Sequence, residues 1–146
     1  MSPVRNLFHG SLFFVIVTYA QRESANEKLK RCCKAQESKF TNNQTAINVC
    51  LRAYCDFDSI SQTNILVYLK HCDNRVVGTM FSCASSNVDH TKCCVDKGVS
   101  KKCLEYCSAQ DGAPNNYVDY IFCVEEFNSI RDCFADFLEK HEPFAE

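Results

Sequence analysis

The chain is 146 residues long, carries twelve cysteines and no tryptophan, and has a formal net charge of −2. That length fits one domain. A mildly acidic chain without a basic block argues against nucleic acid as a partner, and cysteine at this density argues against a reducing compartment.

Residues 1–20 read as a secretory signal. Arg5 gives the positive start, residues 12–17 the apolar core, and Thr18-Tyr19-Ala20 small residues at the cleavage positions. The apolar run is about half of the roughly 20 residues that a spanning helix needs. The expectation is a cleaved signal and a secreted, extracellular product with no membrane span. Its removal takes away Arg5 and leaves a mature chain of about −3 from Gln21 onward.

Residues 21–31 are polar and charged without a period, so they are expected to form a leader that frays or begins a surface helix. Lys28, Lys30, Arg31 and Lys34 read as a solvated face. The cysteine-bearing domain is placed at residues 32–140, with a tail over 141–146. Cys32-Cys33 opens it. Residues 41–45 are turn-like, and Asn43-Gln44-Thr45 is an acceptor for an N-linked glycan, so a glycoprotein is expected. Asn48-Val49-Cys50 is a weaker acceptor because Cys50 is expected in a bridge.

Ile47, Cys50, Leu51 and Tyr54 recur at helical spacing. Ser59-Ile60-Ser61-Gln62 is expected to box the start of the next helix, which carries Ile65, Tyr68, Leu69 and Cys72 on one stripe. Asp73 is placed to cap another, in which Val76, Val77, Met80, Phe81 and Ala84 face inward beside Cys83. Gly78 weakens that helix. Residues 85–88 read as a loop.

Residues 89–107 read as the hub. Lys97-Gly98-Val99 has the pattern of a helix closed by a left-handed glycine, and Ser100 is placed to cap the turn after it. Cys93 and Cys94, which echo Cys32-Cys33, are about 100° apart around a helix, so each is expected to bond in its own direction. Cys103 and Cys107, four apart, are expected on one face and toward one partner element. Residues 109–116, with Gly112 and Pro114, read as the longest loop. Tyr117, Tyr120, Ile121 and Val124 then open a helix carrying Cys123, and Ser129 is placed to cap the last, with Ile130, Cys133, Phe134 and Phe137. Alternating strand-like runs are almost absent, so the fold class is all-α: a small disulfide-rich bundle of short helices.

The bridge-forming residues are Cys32, Cys33, Cys50, Cys55, Cys72, Cys83, Cys93, Cys94, Cys103, Cys107, Cys123 and Cys133. Zinc modules need ligand pairs with paired partners. Cys103 and Cys107 fit that loosely, and His71 and His90 are not spaced as a pair, so no metal or cofactor is expected. Which cysteine joins which is left open by the sequence.

The order of these cysteines and their neighbours resembles the DB module, a secreted twelve-cysteine domain of unknown function best known from nematodes. The likeness runs from Cys32 to Cys133. It includes Cys50 and Cys55 followed by Asp56-Phe57-Asp58, then Asp89-His90-Thr91-Lys92-Cys93-Cys94 with Gly98-Val99, and Cys133-Phe134. The resemblance implies six intrachain disulfides and little about activity, since the module is known chiefly as a companion of immunoglobulin-like or fibronectin-like domains. None is attached in these residues, so no role is expected from one.

No enzyme is expected. A secreted phospholipase A2 places His and Asp after its Cys-Cys pair and needs a Gly-rich calcium loop; here Asp89-His90 precede the pair and the chain holds four glycines. Asp89 and His90 as base and orienting carboxylate would need a nucleophile context that is lacking, so Asp89 is read as a cap and His90 as a packed side chain. The function expected is a non-catalytic extracellular interaction scaffold for a protein partner, displaying residues 85–88 and 109–116. The alternative is a carrier of a small apolar ligand or lipid, built on Phe81, Tyr117, Tyr120, Phe127, Phe134 and Phe137. A hydrolase inhibitor has no reactive-loop signature here.

Overall fold

A computed structural model describes residues 22–144; the signal expected over 1–20 lies outside them. The regular elements of the described chain are all helical, as the periodicity predicts. Its α-helices are α1 (Ala25–Ala35), α2 (Ile65–His71), α3 (Asn74–Ser85), α4 (Thr91–Asp96) and α5 (Phe127–Leu138). Between them lie a π-helical segment, Ala46–Tyr54, and 3₁₀ segments that include Lys101–Tyr106 and Tyr117–Glu126. No strand occurs among the described residues.

The segment read as a leader is mostly helix, and the boundary drawn at residue 31 falls inside α1. Ser24 and Glu27 form a reciprocal capping box there, satisfying two backbone N–H groups at the helix start. Ala25, Leu29, Cys32 and Cys33 then line the buried face. Lys28 belongs to that face too. It is 3% exposed, and its Nζ donates to the carbonyls of Leu138 (2.9 Å) and His141 (3.0 Å). A cation thus closes the C-terminus of α5, where unpaired carbonyls gather. The Ala25 N–H donates to Glu139 Oε1 at 2.9 Å. The expected tail over 141–146 is therefore tied, at its first residue, to the first helix.

All twelve cysteines are bridged, and the pairing has an order that the sequence left open. Cys32 joins Cys83, Cys33 joins Cys55 and Cys50 joins Cys72. Cys93 joins Cys133, Cys94 joins Cys107 and Cys103 joins Cys123. Numbered within each set of six, both follow first-to-sixth, second-to-fourth, third-to-fifth. The module is two three-bridge halves of one connectivity, and no bridge crosses between them. The halves are held together by packing: α1 and α3 of the first lie against α5 of the second. Their buried residues merge into one apolar core.

Local signals were met unevenly. Asp73 caps α3, accepting from the N–H groups of Arg75 and Val76. Gly98 has φ +80°, and the bonds Gly98 N–H to Val95 O (3.0 Å) and Val99 N–H to Cys94 O (2.9 Å) complete a Schellman close to α4. Other expectations need correcting. No capping box forms at residues 59–62; Asn64 closes that turn instead, accepting from Ser61 N–H and donating to Ser59 O. Ser100 stands at the N-cap position, but its hydroxyl and N–H both donate to Glu126. Ser129 lies inside α5, which starts two residues earlier. Cys103 and Cys107 take different partners: Cys103 lies in the 3₁₀ segment Lys101–Tyr106 and Cys107 directly follows it. At three residues per turn, positions four apart diverge around the axis.

Candidate functional site

An apolar groove of ≈ 200 Å³ lies between the two halves. Its walls come from α2 and α3 on one side, and from the 3₁₀ segment Tyr117–Glu126 and α5 on the other. The lining follows the repeated connectivity. Val77 and Phe127 each sit six residues before the last cysteine of their half, Met80 and Ile130 three before, and Ala84 and Phe134 one after; all six line the groove. Equivalent positions thus meet across the junction.

The wall formed by α3 is a helical stripe of Asn74, Val77, Gly78, Phe81 and Ala84. The facing wall owes its stripe to a different pitch. Val118, Ile121, Val124 and Phe127 are three apart, and in a 3₁₀ helix such positions eclipse. The last three line the groove. At about 2 Å of rise per residue the stripe runs ~18 Å. Cys55 and Cys123 are also in the lining, so each wall is cross-linked within its own half.

Aromatic rings pack in the lining: Phe81 of the first wall meets Phe134 of the second edge-on with centroids 5.5 Å apart, and Tyr106 meets Tyr120 at 5.5 Å. Burial raises the pKa of Tyr68, and burial with the neighbouring Tyr120 raises that of Tyr106, so both phenols remain neutral at physiological pH. The Tyr68 hydroxyl donates to Met80 Sδ at 2.6 Å. Arg131 is the one ionisable cation in the lining, and it is paired: Nη1 donates to Ile60 O (2.9 Å) and Nη2 to Asp132 Oδ1 (2.8 Å). The groove carries no unbalanced charge.

Two of the lining side chains are half exposed, Leu66 (47%) and Ile121 (51%), and Val67, Val118 and Phe122 on the same two segments are exposed as well. Leu66 and Ile121 reach into the lining, and Val118 continues the 3₁₀ stripe outward. Of the residues singled out as apolar-ligand candidates, Phe81, Tyr120, Phe127 and Phe134 line the groove. Phe137 does not; it packs between His90 and His141.

The loop over residues 85–88 is not a display surface. Ser85 and Ser86 are buried, with Ser86 and Asn87 both at positive φ. This is a packed link between the halves. Residues 109–116 fare differently: Ala113, Pro114 and Asn115 form one edge of the groove. His90 is buried against Phe134 (centroids 4.8 Å) and Phe137 (5.3 Å), and its Nε2–H donates to Ser85 O at 2.7 Å. Burial lowers its pKa, more than the Ser85 carbonyl and Asp89 raise it. The Asp89 carboxylate accepts from Thr91 N–H at 2.8 Å, but the N-cap position of α4 is held by His90, one residue after the Asp89 expected there. Asn43 is exposed, in a turn where its Oδ1 accepts from Ala46 N–H. Among the described residues no cluster of His, Cys, Asp and Glu is arranged to hold a metal ion, and no helix is long and apolar enough to cross a membrane.

A family model described as the DB module matches residues 32–134. Two Caenorhabditis elegans proteins, "Ig-like and fibronectin type-III domain-containing protein 1" and "Ig-like and fibronectin type-III domain-containing protein 2", are each 34% identical to this chain over 84 residues. That match covers 58% of this chain, but only 7% and 5% of those relatives, so the chain spans a small part of their length. No solved structure matches.

Proposed function

The chain belongs to the DB module family, and from that premise we propose that it is a secreted, non-catalytic interaction module that binds an extracellular protein through the apolar rim of its groove. One observation carries the reading: Leu66 and Ile121 stand half-exposed in the lining of one apolar groove, with exposed Val67, Val118 and Phe122 on the same two segments, on a frame in which every cysteine is bridged. Apolar patches on soluble proteins mark contact surfaces, and six bridges suit an oxidising, extracellular setting. The names of the two relatives point the same way, since immunoglobulin-like and fibronectin type III sandwiches are frequent in cell-surface proteins. The absence of catalysis is part of the proposal. His90, the best base candidate, is committed to Ser85 O and packed between phenylalanines.

The test is capture from a panel of extracellular proteins by the chain secreted from a eukaryotic host, beside Leu66→Asp and Ile121→Asp variants. A charge placed on an apolar contact surface should weaken capture by about 10-fold or more. Capture equal to wild type in both variants, or turnover of ester substrates that is lost in His90→Gln, would overturn the reading. In the same material we propose a glycan on Asn43. Enzymatic deglycosylation should lower the mass of the wild type and leave Asn43→Gln unchanged; equal masses before and after treatment of the wild type would refute it.

A further inference from the structure

We infer that the interior of the groove is a binding site for the hydrocarbon chain of a small, uncharged amphiphile. The inference rests on the binding-module reading and concerns the space beneath the rim.

Gly78 carries the argument. It lies in the middle of α3, where glycine weakens a helix. Neither of the usual reasons for a glycine holds there. Its φ is not positive, and a Cβ built on it meets no heavy atom within 4 Å. Yet it lines the groove, on the same stripe as Val77 and Phe81. What the missing side chain leaves is room, and the room belongs to the groove.

Size and chemistry then set the class of occupant. The groove offers ≈ 200 Å³, whereas an engineered apolar cavity of about 150 Å³ takes up benzene, so the buried part is on the order of eight carbons. The lining holds one ionisable cation, and Asp132 and Ile60 O occupy it, so no partner remains for a buried carboxylate. A neutral head group has better company at the open edge, where Asn74 and Asn115 are both exposed and both in the lining. The site also lies between two separately cross-linked halves. Each wall is rigid, and no bridge spans the gap. Preorganised walls lower the ordering cost of binding, and junctions between units are where pockets concentrate.

The experiment is calorimetric titration of the intact secreted chain with 1-octanol and with octanoate, using wild type, Gly78→Leu and Val95→Asp, each first melted to establish that it folds. Saturable 1-octanol binding is expected, with octanoate at least about 10-fold weaker because its charge would be desolvated without a partner. Gly78→Leu should abolish binding while melting no lower than wild type, since leucine suits a helix better. Val95→Asp, at an exposed residue outside the lining, should bind 1-octanol as wild type does. Gly78→Ala, a milder filling, covers the event that leucine prevents folding; it should weaken binding and raise the melting temperature. Absence of saturable 1-octanol binding, equal affinity for octanoate, or undiminished binding by the folded Gly78 variants would overturn the inference. If 1-octanol fails while partner capture is lost in Gly78→Leu, the occupant is a partner's side chain; this inference falls and the interaction reading stands.

Discussion

At the scale of single residues, His90 shows how burial decides a role. Its ring fills a gap between Phe134 and Phe137, and the neutral form, with Nε2–H on Ser85 O, is the one the fold accommodates. The folded pKa lies below the ordinary 6.5, which fixes the sign of the pH dependence. Above about pH 6.5 both states are neutral and the contribution is complete. Below it the unfolded chain takes the proton first, so stability falls with pH until the folded ring is protonated too, at up to about 1.4 kcal/mol per pH unit. Urea unfolding at pH 7.5 and 5.5 should show wild type losing more stability on acidification than His90→Gln. Equal losses would mean that His90 is not held neutral. Gly78 makes the complementary point: a residue that weakens its own helix gains its meaning from the space beside it.

At the scale of elements, the sequence was most legible where the signal is local and its geometry unambiguous. Asp73 before α3 and Gly98 after α4 act through the backbone within a few residues, so they could be read without the fold. Tertiary demands overrode other signals. Ser100 turned to Glu126, 26 residues away, and Cys103 and Cys107, in and directly after the 3₁₀ segment Lys101–Tyr106, took different partners. The 3₁₀ pitch also hid the groove, since a three-residue stripe such as Val118, Ile121 and Val124 smears on a 3.6-residue period. The start of α1 was readable in Ser24-Ala25-Asn26-Glu27 but was masked by the charges after it. One of those charges works between elements. Lys28 closes the end of α5 from the other end of the chain, and Lys28→Met should cost about 1–3 kcal/mol, as expected for losing buried charge-assisted hydrogen bonds. Hydrogen exchange should quicken at residues 138–141 in that variant. Unchanged exchange and an unchanged urea midpoint would show that the carbonyls have no need of the ammonium.

At the scale of the molecule, adjacent cysteines announced bonds in two directions, but sequence spacing did not reveal that the twelve divide into two sets of one connectivity. Repetition became visible only once the pairs were known, because the intervals inside the halves differ: Cys33 to Cys55 spans 22 residues where Cys94 to Cys107 spans 13. The division explains the site. Within a half the bridges fix the walls; between halves packing, hydrogen bonds such as those of Lys28 and Arg131, and the link at residues 84–92 act without a disulfide, and the groove opens along that junction. A protease site inserted between Val88 and Asp89 tests this most directly. After cleavage, a denaturing gel without reductant should show two separate fragments, since no disulfide joins residues before the cut to those after it. A single band that splits only on reduction would contradict the two-half architecture and the groove built upon it.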